Sequence, residues 1–208
     1  MGREQNDRRN LNLKVRILIG SPKRDGNTSE LLKLFRRRLL ELGAETDDIF
    51  PDDFTVNPCR GCCACRDVQD ANGCVQEDDA EKIWMRAAKA DVLVLATPIY
   101  TWYCTLHMKV LPDRHYALNK FYRSATGQLI PHLYVALVTT HGHTDSYANE
   151  PFETGIQRLC THTHWDYLGL YSARDVDGVT DKQAEKAIAD AMHFAEFITD
   201  YVSRETWR

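Results

Sequence analysis

Long apolar runs are missing from this chain of 208 residues. None reaches the roughly 18 residues that a membrane-spanning helix needs. Residues Met1 to Asn12 are polar and arginine-rich and contain no apolar stretch, so they do not read as a secretory signal. They read instead as a flexible arm, 1–12, ahead of a single domain at 13–208. A cytoplasmic location and the absence of a membrane partner follow by default. Charge of one sign is scarce too: the formal net charge is -4 and the pI is near 6.1. That balance speaks against a nucleic-acid partner, and the densest basic run, Arg36-Arg37-Arg38, reads as a solvated helix face.

Three familiar signatures are also lacking. The loop after the first apolar segment carries Pro22 where a GxGxxG fingerprint needs its second glycine. Gly26 is followed by Asn27 and Thr28, not by the Lys-Ser/Thr pair of a Walker loop. Both absences count against a dinucleotide Rossmann site and against nucleoside triphosphates. No cysteine has an arginine six positions on, which removes the low-molecular-weight phosphatase chemistry.

What the chain does have is continuous apolar segments between helical stripes. Val15–Ile19, broken only by Arg16, Val92–Ala96, and Leu133–Val138, interrupted at Tyr134, are apolar without regular alternation, as in parallel strands buried on both faces. Thr46–Phe50 and Tyr167–Ser172 complete a set of five. Thr28–Leu42 places Leu31, Leu32, Phe35, Leu39 and Leu42 on one stripe behind a candidate cap at Asn27. Further helices are expected from Asp78 to Lys89, from Leu106 to Phe121 with a break at Pro112, over Tyr147–Leu159, and from Thr180 onward. The last should bury Ala184, Ala187, Ile188, Ala191, Ala195 and Ile198. Strands alternating with helices imply a parallel α/β sheet covered on both sides, with ligands beyond the carboxyl ends of the strands.

The loop Gly20-Ser-Pro-Lys-Arg-Asp-Gly-Asn-Thr-Ser29 lies between a strand and a helix. A helix N-terminus offers N–H groups and partial positive charge to an anion. Ser21, Asn27, Thr28 and Ser29 add neutral donors, and Lys23 or Arg24 adds charge. A plain capped turn with no ligand is the competing reading. The stretch resembles the FMN phosphate loop of the flavodoxin-like NAD(P)H-dependent FMN reductases. That resemblance implies a flavodoxin-like three-layer sandwich with a five-stranded sheet in the order 2-1-3-4-5. It makes Ser21, Lys23, Asn27, Thr28 and Ser29 the expected contacts to the FMN 5′-phosphate.

After the third strand comes Thr97-Pro-Ile-Tyr-Thr-Trp-Tyr103, in which Ile99, Tyr100, Trp102 and Tyr103 should be exposed. Flat side chains there suit a flat ligand, with stacking worth about 0.5–1.5 kcal/mol beyond area burial. Packing under a loop or at a subunit interface would account for them equally. Met108-Lys109 and Asp113-Arg114 follow, and the block is similar to the same family's Thr-Pro-x-Tyr, Met-Lys, Asp-Arg pattern. By that resemblance Thr97, Pro98, Ile99, Tyr100 and Trp102 flank the flavin ring. Lys109, Asp113 and Arg114 would orient the loop or an interface and take no part in the chemistry.

Five of the seven cysteines fall within sixteen positions, in a loop at 57–77. Cys59, Cys62, Cys65 and Cys74 have the spacing C-x2-C-x2-C-x8-C, with Cys63 as an extra. Clustered thiolates suit a [4Fe–4S] centre, and zinc less well. The cluster resembles that of the iron–sulfur flavoproteins, although the last spacer is longer than theirs. A cysteine-rich loop with redox-sensitive or inert thiols is the other reading. Cys104 and Cys160 stand apart and read as small buried hydrophobes.

The fourth strand ends in Thr139-Thr140-His141-Gly142, which by position should reach the pyrimidine edge of a flavin. His141-x-His143 is a weak metal pair, and His115, His162, His164 and His193 read as exposed. The resemblance runs from Lys14 to about His143. It implies an FMN oxidoreductase that accepts hydride from NAD(P)H and passes electrons to a small-molecule or protein acceptor, with no catalytic side chain and the chemistry on the flavin. A homodimer or homotetramer is the expected assembly. A non-enzymatic electron carrier of flavodoxin or iron–sulfur flavoprotein type is the alternative.

Overall fold

The computed structural model of the protein describes residues 13–120, 127–143, 147–174 and 181–205, the first four of the last stretch in backbone only. The N-terminal arm therefore lies outside the described residues. In chain order the elements are β1 (Lys14–Ile19), α1 (Asn27–Glu41), β2 (Glu45–Ile49), α2 (Ala80–Ala87), β3 (Val92–Tyr100), β4 (Tyr103–Cys104), α3 (Leu106–Arg114), β5 (Tyr134–His141), α4 (Glu150–Thr163), β6 (Asp166–Arg174) and α5 (Asp181–Glu205).

Five strands run parallel in the order β2-β1-β3-β5-β6. This is the expected topology, with one addition: β4 is a two-residue ribbon that folds back antiparallel on the end of β3. Parity along the strands shows why the segments are continuously apolar. Val15, Ile17, Ile19, Val92, Val94, Ala96, Ala136 and Val138 face α1 and α5. Leu18, Leu93, Leu95, Val135 and Leu137 face the other way, into the layer of α2, α3 and α4. Each face buries its own row, so the alternating polar residues of a one-sided sheet are not needed. The class is flavodoxin-like α/β.

The local expectations need four adjustments. Helix α1 is capped by the backbone of Gly26, and Asn27 is already its first residue. Pro112 lies inside α3 and lacks the N–H its helical position would donate. The α-helix ends two residues later and continues as a 3₁₀ turn, His115–Leu118. In α5, Ala191, Ala195 and Ile198 are buried as expected, but Ala187 is half-buried and Ile188 exposed. Of the three arginines, Arg36 pairs with Asp48 at 2.5 Å and Arg38 with Glu196 at 2.6 Å. They tie α1 to β2 and α5 instead of facing solvent alone.

Candidate functional site

Three loops leave the carboxyl ends of β1, β3 and β5, and hydrogen bonds draw them together. The Gly20 N–H donates to the Ala96 carbonyl at 2.8 Å. Thr105 caps α3 by accepting from the Met108 N–H at 3.3 Å, and its own hydroxyl donates to the Gly20 carbonyl. The Thr105 N–H in turn donates to Thr97 Oγ1 at 3.3 Å. Across the sheet, the Thr28 and Thr140 hydroxyls lie 2.8 Å apart and buried. Thr105 was not singled out from the sequence; the signal for it was its place as a threonine immediately before a helical stripe.

Glycine is demanded at position 20 by packing. A Cβ there would lie 2.6 Å from the Met108 Cβ, so the loop sits directly on α3. Ser21 closes the turn locally: its hydroxyl donates to the Lys23 carbonyl at 2.9 Å and accepts from the Lys23 N–H at 3.2 Å. Lys23 and Asn27 lie on the exposed side. Arg24 is drawn away from the loop by Asp53 and by the Phe50 ring, 4.4 Å from its guanidinium carbon. Ser29 is buried, and its hydroxyl finds no hydrogen-bond partner among the described residues. An orphaned buried hydroxyl costs about 1–3 kcal/mol, so its presence in the first turn of α1 fits a ligand oxygen. The residues present therefore suit a phosphate group.

The β3 end differs from expectation. The strand continues through Thr97, Pro98 and Ile99, all buried, so Ile99 is not exposed. It then reverses at Thr101 (φ 53°) and Trp102 (φ 60°), and Tyr100 pairs with Tyr103. Left-handed backbone at both central positions is the type I′ hairpin turn, which normally takes Asn and Gly. Holding a β-branched Thr and a Trp there stores strain. The result presents two rings: Tyr100 is 54% exposed and Trp102 40% exposed. Tyr103 turns inward, edge-on to Phe152 at 5.6 Å.

At the β5 end, Thr139 is committed to an internal network. Its hydroxyl donates to Asn149 Oδ1 at 2.7 Å and lies 2.8 Å from the Ser172 hydroxyl, which accepts from the Asn149 amide. Thr140, His141 and Gly142 stay on the side of the loops. His141 Nδ1 lies 3.0 Å from the His143 carbonyl. The His143 ring stacks on Trp102, with centroids 4.7 Å apart and planes at 18°. Among the other histidines, His162, His164 and His193 are exposed, whereas His115 is buried beside Trp84 and Trp165, and burial lowers its pKa to about 4.

Sequence reasoning also missed the loop after β2. Phe54, Val56, Leu106 and Val110 line a groove of about 500 Å³, with the His107–Asp52 pair at its edge. Its signal was the same carboxyl-end rule applied to the second strand.

The cysteine loop lies beyond α3. Cys59, Cys62, Cys63, Cys65 and Cys74 line one recess together with Asp113, Arg114 and Tyr116. All seven cysteines are free thiols. Cys104 and Cys160 are buried in the core, and burial pushes both thiols up to about 12. Gly61 (φ 64°) and Cys63 (φ 61°) take left-handed backbone, which turns the loop twice within three residues. Among the described residues no group of three His, Cys, Asp or Glu side chains lies close enough to hold a single metal ion. The thiols surround a space and do not meet at a point. Two buried cations hold this loop. Lys120 donates to the carbonyls of Cys65 and Asn72 at 3.0 and 3.1 Å. Arg114 reaches Cys74 Sγ at 3.3 Å while pairing with Asp78 at 2.5 and 2.9 Å. Burial alone would raise the Asp78 carboxyl, but Arg114 and the N–H groups of Asn57 and Ala80 outweigh it and hold it at about 2.

The model of the NADPH-dependent FMN reductase family matches residues 13–149, from β1 through the loop after β5. The chain belongs to the NADPH-dependent FMN reductase family. Among curated relatives, an iron–sulfur flavoprotein of Methanosarcina thermophila is 33% identical over 108 residues, 52% of this chain and 55% of that protein. One from Methanocaldococcus jannaschii is 33% identical over 102 residues, 49% and 51% of the two chains. The chain thus spans about half the length of the curated relatives it matches. Solved structures share the fold of this FMN reductase family member. An NAD(P)H:quinone oxidoreductase from Methanothermobacter marburgensis aligns with TM-score 0.65 at 19% identity, covering 88% of this chain and 94% of that one. An FMN-dependent NADH-azoreductase from Bacillus anthracis aligns with TM-score 0.60 at 14% identity, covering 89% and 99%. Among the described residues no helix is long and apolar enough to cross a membrane.

Proposed function

We propose that the protein is an FMN-dependent oxidoreductase, one flavodoxin-like domain over 13–208, that takes hydride from NAD(P)H and passes electrons to a small-molecule or protein acceptor. The observation that carries this reading is the convergence of three loops on one end of the sheet, tied by Thr28–Thr140 and Thr105–Gly20. FMN supplies a ring that takes up a hydride and releases electrons one or two at a time.

The residues have separable tasks in this reading. The first turn of α1, with Ser21, Lys23, Asn27, Thr28 and Ser29, holds the phosphate. Tyr100 and Trp102 lie against the ring, while Thr97, Pro98 and Ile99 set the direction of that turn from within the core. Thr140, His141 and Gly142 face the pyrimidine edge, where donors favour negative charge on the ring. Thr139 orients that strand end through Asn149 and Ser172. No side chain is required as acid, base or nucleophile. Exposed Tyr100, Trp102 and Leu106 beside this end support a second copy of the chain as neighbour, in a homodimer or homotetramer. The protein is expected in the cytoplasm.

The five-thiol recess supports a second feature. Cys59, Cys62, Cys65 and Cys74 would hold a [4Fe–4S] centre, leaving Cys63 outside the ligand set. That feature favours the alternative, an electron carrier that serves redox proteins without using nicotinamide. Anaerobic addition of NADPH or NADH distinguishes the two. Rapid bleaching of bound flavin supports the reductase, and flavin that yields only to dithionite supports the carrier. Protein that comes out colourless and takes up no added FMN would end both. For the cysteines, Cys62→Ala should abolish iron and acid-labile sulfide while Cys63→Ala keeps them. Equal loss in both variants would count against the ligand assignment.

A further inference from the structure

Arg114 and Asp78 form the most deeply buried ion pair described in the molecule, with side chains 3% and 0% exposed. Neither is explained by the flavin end. Arg114 sits in the last turn of α3, and its guanidinium serves three acceptors at once. It gives two bonds to Asp78, one to the Asn57 carbonyl at 2.8 Å, and one to Cys74 Sγ at 3.3 Å. Asp78 is itself anchored by the N–H groups of Asn57 at 3.0 Å and Ala80 at 3.2 Å. The ends of the cysteine loop are thereby clamped to α3 at one planar cation. Only an arginine can do this, because its donors diverge in a fixed plane.

We propose that this pair sets the one-electron reduction potential of the thiolate site, with Arg114 as the positioning residue for Cys74. The inference rests on the iron–sulfur reading given above. One electron entering the site adds one negative charge, with no bond made or broken. A hydrogen bond and a positive charge at a ligand sulfur favour the more negative state and so raise the potential. Asp78 works in the opposite sense, since its carboxylate offsets the guanidinium within a low-dielectric surrounding. The two residues therefore push the same quantity in opposite directions. A scaffold that merely held the loop would not do so.

The test is a potentiometric titration, followed by electron paramagnetic resonance, on anaerobically purified full-length protein carrying its flavin. Asp78→Asn leaves the guanidinium and its bond to sulfur but removes the neutralising charge, so the potential should rise. Arg114→Lys keeps a cation beside Asp78 but loses the fork that reaches Cys74, so the potential should fall. A tenfold change in the reduced-to-oxidised ratio at fixed potential, about 59 mV for one electron, is the expected size in each direction. Shifts of the same sign, or none while iron is retained, would overturn the proposal. So would loss of iron from both variants with flavin kept, which would make the pair a scaffold. If one variant loses iron, the sign of the other decides. Wild-type protein that contains flavin but neither iron nor sulfide defeats the iron–sulfur reading itself, and is told apart from these outcomes by analysis before any substitution.

Discussion

The two proposed sites are built on opposite plans. At the sheet's carboxyl edge, the hydroxyls of Ser21, Thr28, Thr97, Thr105, Thr139 and Thr140 all have partners, in the backbone, in one another or, for Thr139, in the Asn149 and Ser172 side chains, and Ser29 is the buried exception. In the cysteine loop the thiols face a common recess, and the satisfied groups are the cations behind them. The first plan holds the shape of a surface with neutral groups and asks little of its ligand's charge beyond one phosphate. The second lines a recess with thiols and sets buried cations behind them. A site for a flat organic ring and a site for soft thiolate ligation would be expected to differ in this way.

The contrast is broken most sharply at the cations. Arg114→Met leaves Asp78 buried and unpaired, which should lower stability by about 3–5 kcal/mol. Urea denaturation of the iron-free protein measures it. Arg114→Met together with Asp78→Asn removes both charges and should recover most of that loss. Acid reads the same pair. The Asp78 pKa is depressed in the fold, so its contribution is complete above the unfolded value near 3.9 and is lost as pH falls through about 2. The stability difference between wild type and Asp78→Asn should therefore be full at neutral pH and shrink as pH falls below about 4 and through about 2.

At the sheet end, Thr28→Glu places a negative charge where the phosphate is proposed and opposite Thr140. Flavin affinity should fall by roughly a hundredfold or more, with about 2.7 kcal/mol as the corresponding energy. Thr28→Val removes the hydroxyl, with its bond to Thr140 and its proposed contact to the phosphate but no added charge, and should cost about tenfold, near 1.4 kcal/mol. Flavin-binding titrations followed by fluorescence separate the two. Equal losses would mean that the position matters for loop closure and not for charge.

The difference between the plans also explains what could be read from the residues. Strand runs such as Val92–Ala96 were legible because burial on both faces leaves no polar position to confuse the period. The order of the sheet followed from resemblance together with strand–helix alternation, and the parity of Leu93 against Val94 in the structure is the physical reason that both faces of the sheet are apolar. The cysteine spacing was legible as chemistry, yet its supporting cations were not. Lys120 and Arg114 lie 55 and 40 positions from the cysteines they reach, and only tertiary folding brings them to Cys65 and Cys74. Asn27 illustrates the local limit: an Asn before an apolar stripe looks like a cap, but Gly26 fills that role because its backbone carbonyl already accepts from Ser29 and Glu30.

Thr101 and Trp102 are where local preference and global shape disagree, and they give the smallest but most diagnostic effect. Left-handed backbone costs an ordinary residue about 1–2 kcal/mol and Asn less. Thr101→Asn should therefore stabilise the protein by about 0.5–1 kcal/mol, read as a shift in the urea midpoint with an unchanged slope. The β4 ribbon and the ring of Trp102 should stay in place, so flavin affinity should hold. If stability rises and affinity also falls, the strain itself helps to aim Trp102, and the hairpin belongs to the binding machinery. If both are unchanged, Thr101 is relieved by contacts that its side chain makes and the turn carries no stored strain. Only the expected pair, higher stability with affinity kept, leaves the rings presented by an over-determined turn whose cost the rest of the sheet end supports.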